Sequence, residues 1–209
     1  MAALAIEFLL LFVAGPALFV LLRPRISPIP VLWVVMAYCL AVMLRDPKFD
    51  RARLWDPSGL RQHAPAILSL FVVITAIGVA LMMRYAPGRF LNLPRSNPVL
   101  WAVVMVLYPL LSVYPQGIIY RAFLFDRYRS LYGSGWGMVV ASAAAFAFVH
   151  IVFRNPLAVA LTLPAGLLFA VRYWQTGSLL ASSFEHALYG CAVFTIGLGR
   201  WFYHGALPR

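Results

Sequence analysis

Long apolar runs separated by short polar connections dominate the pattern of this chain. Seven of these runs come close to the length of about 17 to 25 residues that an α-helix needs to cross a bilayer. They are Ala2–Leu22, Pro30–Leu44, Ala64–Met83, Pro98–Tyr114, Trp136–Phe153, Pro156–Trp174 and Leu179–Leu198. The pattern therefore predicts an all-α fold, a polytopic transmembrane helical bundle with about seven spans, in a range of six to eight.

Some boundaries stay open at this stage. The run at Pro30 is short, so its helix can begin nearer Ile26. The segment Ile118–Tyr128 either extends the fourth span or forms a helix of its own. The two longer connections, Arg45–His63 and Arg84–Asn97, are polar enough to be interfacial segments.

Composition supports a membrane protein and excludes a soluble domain. Of 209 residues, 63% are hydrophobic and only 11% are charged. The net charge of +11 comes from 17 basic and 6 acidic side chains, and the basic ones lie mainly between the apolar runs, where they meet lipid headgroups. Lipids are therefore expected partners, and nucleic acid is not. No tandem repeat is visible, so we treat residues 1–209 as a single membrane domain.

Three polar signatures interrupt the apolar runs of the C-terminal half. They are Gln116-Gly117-Ile118-Ile119-Tyr120-Arg121, Phe146-Ala147-Phe148-Val149-His150 and Glu185-His186-Ala187-Leu188-Tyr189-Gly190. Ionisable groups inside membrane spans are costly and usually mark a functional site. We therefore expect the site in a motif-bearing core over residues 98–200.

Each signature also has a purely structural interpretation. Arg121 can mark the membrane surface, His150 can be a hydrogen-bonded residue at the end of a span, and Glu185 can complement a helix dipole. On a helix, however, Gly117 and Arg121 share one face with Tyr120, and a buried arginine needs an acceptor. The candidate acceptors are Asp126, Glu185 and backbone carbonyls.

The second and third signatures contribute histidines. Phe146 precedes His150 by four residues, so its ring can pack on the imidazole. Glu185 and His186 are adjacent and diverge by about 100° on a helix. We expect His186 to face the site and Glu185 to orient it or Arg121, so that Arg121, His150 and His186 meet at one polar cavity.

The order and spacing of these signatures resemble the CAAX prenyl protease and bacteriocin-processing (CPBP) family of intramembrane proteases. The resemblance covers about Tyr114 to Gly190. In that family the first motif is usually Glu-Glu-x-x-x-Arg, the second Phe-x-x-x-His, and the third His-x-x-x-Asn or His-x-x-x-Asp.

The resemblance implies hydrolysis of a peptide bond in a membrane-anchored protein or peptide by an activated water. It implies that His150 and His186 position the water, or bind a divalent metal such as zinc if one is used, and that Arg121 holds the first-motif side chains. No cofactor is required with certainty. The supporting or substrate-binding positions are Tyr120, Phe146, Tyr189 and Gly190. The expected location is a prokaryotic cytoplasmic membrane.

This chain departs from the motifs at the positions that supply the base. The double-glutamate positions are Gln116 and Gly117, and Gly190 stands where the family usually has Asn or Asp. We therefore expect impaired or absent hydrolysis, with Gly117 as the position where a glutamate would restore it. Three explanations compete: an engineered substitution, a natural pseudoprotease, and a relocated base such as Glu185. A membrane binding or chaperone protein is the alternative class, and a small carrier is a weaker one.

Overall fold

The computed structural model describes residues 1–22 and 26–199, and within these ranges the regular structure is helical. Seven of the described helices are long and apolar enough to cross a membrane. They are α1 (Ala2–Leu22), α2 (Pro28–Arg45), α3 (Pro57–Tyr85), α4 (Pro98–Arg127), α5 (Trp136–Val149), α6 (Pro156–Thr176) and α7 (Leu179–Ile196). The predicted seven-span helical bundle is confirmed. The basic Arg23–Arg25 segment and His204 lie outside the described residues.

Most helices begin at a polar cap followed by a residue that favours the first turn. The side chain of an N-cap Ser, Asp or Asn accepts a hydrogen bond from a backbone N–H that the helix itself leaves without a partner. Proline then often follows, since its fixed φ suits the first helical position. The caps of α2, α3, α4, α6 and α7 are Ser27, Asp56, Asn97, Asn155 and Ser178.

Two helices are longer than the apolar runs that predicted them. α3 begins at Pro57 instead of Ala64, because Asp56 caps a polar first turn that hydropathy alone excludes. α4 continues without interruption to Arg127, so Ile118–Tyr128 extends the fourth span. α4 contains π-helical turns at Pro109–Val113 and Ile118–Phe123. Pro109 begins the first of these turns, and Pro115 lies between the two. Such turns relax the regular hydrogen-bond pattern that proline disturbs.

Short elements connect the spans. They are 3₁₀ turns at Arg51–Leu54, Pro87–Arg89 and His150–Phe153, and short helices at Asn92–Ser96 and Arg129–Tyr132. The connections predicted to be interfacial therefore contain brief helical turns rather than extended chain.

The C-terminal helices form the protein interior. In an apolar window of 18 residues taken from each span, between 39% and 44% of the residues are buried for α5, α6 and α7, against 11% for each of the first four spans. Outside that comparison, the segment 118–124 of α4 is buried throughout. α5 packs on α6, and α7 packs against α3, α4 and α6. α4 also contacts α2, so it lies between the N-terminal helices and α7. The three signatures are thus on the best-buried helices and on the central α4.

Candidate active site

A cavity of about 830 Å³ lies between the ends of α1 and α2 and the facing sides of α4, α5, α6 and α7. Most of its lining is aliphatic or aromatic, which is typical of sites that hold an apolar ligand. Its polar lining groups include Tyr108, Ser112 and Gln116 from α4, together with His150 and His186. The three α4 residues follow one another at intervals of four and form a polar stripe facing the cavity.

The ring of Phe146 is the common neighbour of the predicted site residues. Its centroid lies 4.8 Å from that of His150 and 5.3 Å from that of His186. The guanidinium carbon of Arg121 lies 4.2 Å from the same centroid. The structure therefore brings Arg121, His150 and His186 together around one aromatic side chain on α5.

His150 is oriented by its own helix. Its Nδ1 lies 2.6 Å from the carbonyl oxygen of Phe146, one turn earlier. Because a carbonyl can only accept, Nδ1 carries the proton of this hydrogen bond. The bond fixes the imidazole at the point where α5 tightens into the 3₁₀ turn His150–Phe153.

His186 is held between aromatic rings. It stacks on Phe169 at a centroid distance of 4.5 Å and an interplanar angle of 22°. Phe146 meets it edge-on at 88°. Its Nε2 lies 3.4 Å from the hydroxyl of Tyr108 on α4. Sequence reasoning missed Tyr108, since nothing in the local pattern distinguishes it from an interfacial tyrosine.

Arg121 is almost fully enclosed, with 1% of its surface exposed. Among the described residues, no hydrogen-bond acceptor reaches its three guanidinium nitrogens, and neither Asp126 nor Glu185 forms an ion pair with it. Its guanidinium lies over Phe146 and 5.4 Å from the centroid of Phe169, so cation–π contacts provide its attraction. Arg121 is not a lining residue of the cavity; it lies behind Phe146.

Glu185 is fully buried and forms a two-pronged ion pair with Arg172 of α6. The Nε–Oε2 and Nη2–Oε1 distances are 2.9 and 3.2 Å. The pair joins α6 to α7 and keeps Glu185 out of the cavity lining. Sequence reasoning missed Arg172, although an arginine inside an apolar run was itself a signal.

Gln116 and Gly117 point to different surroundings. Gln116 lines the cavity, and its Nε2 donates to the Ser112 hydroxyl at 2.7 Å. Gly117 faces α7, where an added Cβ would come within 2.7 Å of Ser183 Oγ and 3.0 Å of Leu179 Cδ1. Of the two first-motif positions, 116 is thus the one that reaches the cavity. We therefore expect a glutamate to restore a base at position 116 rather than at position 117.

The residues predicted to support the site or to bind substrate divide into two groups. Tyr120 is buried, and its ring contacts Phe146 and, on α1, Phe12, each at 5.6 Å. Tyr189 and Gly190 line the cavity beside His186. Tyr120 therefore ties α4 to α1 and α5, whereas Tyr189 and Gly190 shape the cavity wall.

The described residues do not provide the ligand set of a divalent metal ion. A catalytic zinc ion takes three protein ligands, with neutral imidazole, thiolate or carboxylate donors. Within residues 1–22 and 26–199, no three His, Cys, Asp or Glu side chains come together in such a group. His150 and His186 are accompanied instead by the guanidinium of Arg121, whose charge opposes a second cation.

One comparison with known protein families gives a match that includes the candidate site. A family model described as Rce1-like, type II CAAX prenyl endopeptidase, matches residues 96–192, a segment that contains all three signatures. No curated protein and no solved structure matches the chain.

Proposed function

We propose that the cavity binds a membrane-anchored peptide and that the chain hydrolyses this peptide slowly or not at all. The match of residues 96–192 to the Rce1-like, type II CAAX prenyl endopeptidase model supports this proposal and favours membership of the CPBP family of intramembrane proteases. The chain is an integral membrane protein, and the family match favours the fold of an intramembrane protease. The expected substrate is a protein or peptide whose anchor occupies the apolar part of the cavity.

The amide at Gln116 is the observation that carries this proposal. Gln116 faces the cavity together with His150 and His186, where the first-motif carboxylate would be needed. A carboxylate can take a proton from an attacking water, whereas a neutral amide cannot act as that base. Among the described residues, no Asp or Glu lines the cavity.

The other polar groups suit peptide binding. His150 and His186 are held by Phe146, Phe169 and the Phe146 carbonyl, so little rotamer freedom is lost when a ligand binds. Peptide carbonyls and amides need partners in an apolar cavity, and the α4 stripe supplies a hydroxyl, a phenol and an amide. Binding is therefore expected to persist where hydrolysis fails.

The test replaces Gln116 by glutamate. The full chain and Gln116→Glu are reconstituted in lipid vesicles with a fluorogenic, prenylated C-terminal peptide, and the cleavage rate is measured. General-base catalysis contributes about 10²–10⁴ in rate, so Gln116→Glu should raise cleavage by that factor. Gln62→Glu, an exposed position on α3, is the matched control and should leave the rate unchanged.

Adding His150→Ala or His186→Ala to Gln116→Glu should remove the gain. If the native chain already cleaves as fast as Gln116→Glu and Glu185→Gln stops it, the base is Glu185 and this proposal is wrong.

A binding protein without catalysis is the second candidate, and the absence of a lining carboxylate within the described residues favours it. A photoreactive version of the same peptide should then cross-link to both the native chain and Gln116→Glu, while neither form cleaves it.

A further inference from the structure

In the cavity wall beside His186, a side chain from α4 fills the space that a side chain of α7 would normally occupy. Gly190, one turn after His186 on α7, leaves a notch in that wall. A Cβ at position 190 would collide with Cε1, Cζ and the hydroxyl of Tyr108. The phenol of Tyr108, from α4, thus occupies the volume that any side chain at position 190 would need.

Several contacts hold the phenol in that notch. The Tyr108 ring meets Phe194 of α7 edge-on at a centroid distance of 5.2 Å. It is also nearly perpendicular to the His186 ring, at 87° and 6.3 Å. Its hydroxyl lies 3.4 Å from His186 Nε2. The phenol therefore brings a polar group to the histidine from the helix opposite.

We infer that Tyr108 is a positioning residue for His186. From α4, its hydroxyl gives His186 the polar contact that a polar side chain at position 190 would give from α7. The inference rests on the proposed function for its catalytic consequence, but not for the contact itself. Stacking on Phe169 would be kept if the imidazole flipped by 180° about its Cβ–Cγ bond, so the Tyr108 hydroxyl selects the orientation in which Nε2 faces α4.

The first measurement does not depend on cleavage. The full chain is labelled with ¹⁵N-histidine in lipid nanodiscs, and the His186 signals are assigned with a His186→Asn variant. Tyr108→Phe keeps the ring and removes only the hydroxyl, so it should shift the His186 Nε2 resonance and leave that of His150 in place. Tyr85→Phe, which alters an exposed tyrosine at the end of α3, should shift neither. An unchanged His186 resonance in Tyr108→Phe would overturn the inference.

The second measurement uses the Gln116→Glu background and tests whether Tyr108 replaces a polar side chain at position 190. Tyr108→Phe should lower kcat about tenfold, as expected for one lost hydrogen bond, with little change in KM. Gly190→Asn alone should fold poorly because its Cβ collides with the phenol. Tyr108→Ala combined with Gly190→Asn should recover folding and more activity than Tyr108→Ala.

The outcomes separate the two proposals. If Gln116→Glu does not cleave, the proposed function fails and the histidine resonances alone decide the inference. If Gln116→Glu cleaves and Tyr108→Phe does not slow it, Tyr108 only fills space and the inference fails while the proposed function stands.

Discussion

The two glutamates of this chain each bind an arginine from another helix, but in different surroundings. Glu7 of α1 binds Arg127 at the end of α4, where 40% of the arginine side chain remains exposed. Glu185 and Arg172 are enclosed by protein. A partly exposed pair can be broken at little cost, whereas breaking a buried pair leaves one charge without a partner.

We therefore expect Arg172→Ala to lower the free energy of unfolding by about 3–5 kcal/mol. Arg127→Ala, the matched control, should cost at most about 1 kcal/mol. Unfolding of both variants is followed in mixed micelles. Replacing both partners, with Arg172→Met and Glu185→Leu, should restore most of the loss. A smaller effect for Arg172→Ala than for Arg127→Ala would contradict this account.

The close packing around Gly117 leads to a second prediction at the residue scale. Its contact with Ser183 and Leu179 leaves no room for a side chain, so Gly117→Ala should cost about 1–3 kcal/mol through overpacking. Gly117→Glu should be worse still and should not raise cleavage, in contrast to Gln116→Glu. Gly88→Ala, where a Cβ would meet open space, is the control for thermal unfolding.

Sequence could name most of the candidate residues, but not their neighbours. The signatures identified Arg121, His150 and His186 because polar groups in apolar runs stand out. The contact of Tyr108 with Gly190 depends on how α4 lies against α7, which local patterns do not encode. The difference between Gln116 and Gly117 likewise required the helix orientation.

At the scale of helices, bilayer thickness explains why the apolar runs predicted the spans so closely. Their ends were harder to predict, because caps such as Asp56 start a helix in polar sequence. Ser178 differs from the other caps in that its side chain also bonds to the start of another helix. Its hydroxyl accepts from the backbone N–H of Ala181 at 3.1 Å and donates to the carbonyl of Asp56 at 2.7 Å. It thereby fixes the start of α7 against the start of α3.

Ser178→Ala should accordingly lower the unfolding free energy by about 2 kcal/mol, the upper range for a lost cap. Ser27→Ala removes the exposed cap of α2, which makes a single 3.3 Å bond, and should cost less than about 1 kcal/mol. Denaturant titration of both variants checks the difference. Equal losses would show that the bond to Asp56 contributes nothing.

At the scale of the molecule, charge is distributed unequally between the two ends of the bundle. The connections α1–α2, α3–α4 and α5–α6 contain arginines but no acidic residue, and all four aspartates belong to segments at the other end. The cavity reaches the end without acids, where Arg154 is one of its lining residues. The charged side chain that a ligand meets in the described lining of the cavity is therefore basic and not acidic.

If the cavity binds a peptide, acidic residues next to the anchored segment should strengthen binding. We expect about twofold to fivefold tighter binding of an acidic than of a basic peptide at low salt, and a smaller ratio at high salt. Fluorescence titration of vesicles with the two peptides measures it. Arg154→Gln should reduce the ratio, and a ratio unaffected by salt would argue against this attraction.

The buried ion pair between α6 and α7 also constrains how the chain enters the membrane. These are the two least hydropathic of the seven spans, and each carries one member of the pair. Inserted alone, each helix would bring an unpaired charge into the bilayer, at a cost that reaches about 2.5–3.5 kcal/mol toward its centre. Only Gly177 and Ser178 separate the two helices. The insertion machinery should therefore release α6 and α7 together as a hairpin whose charges are already neutralised.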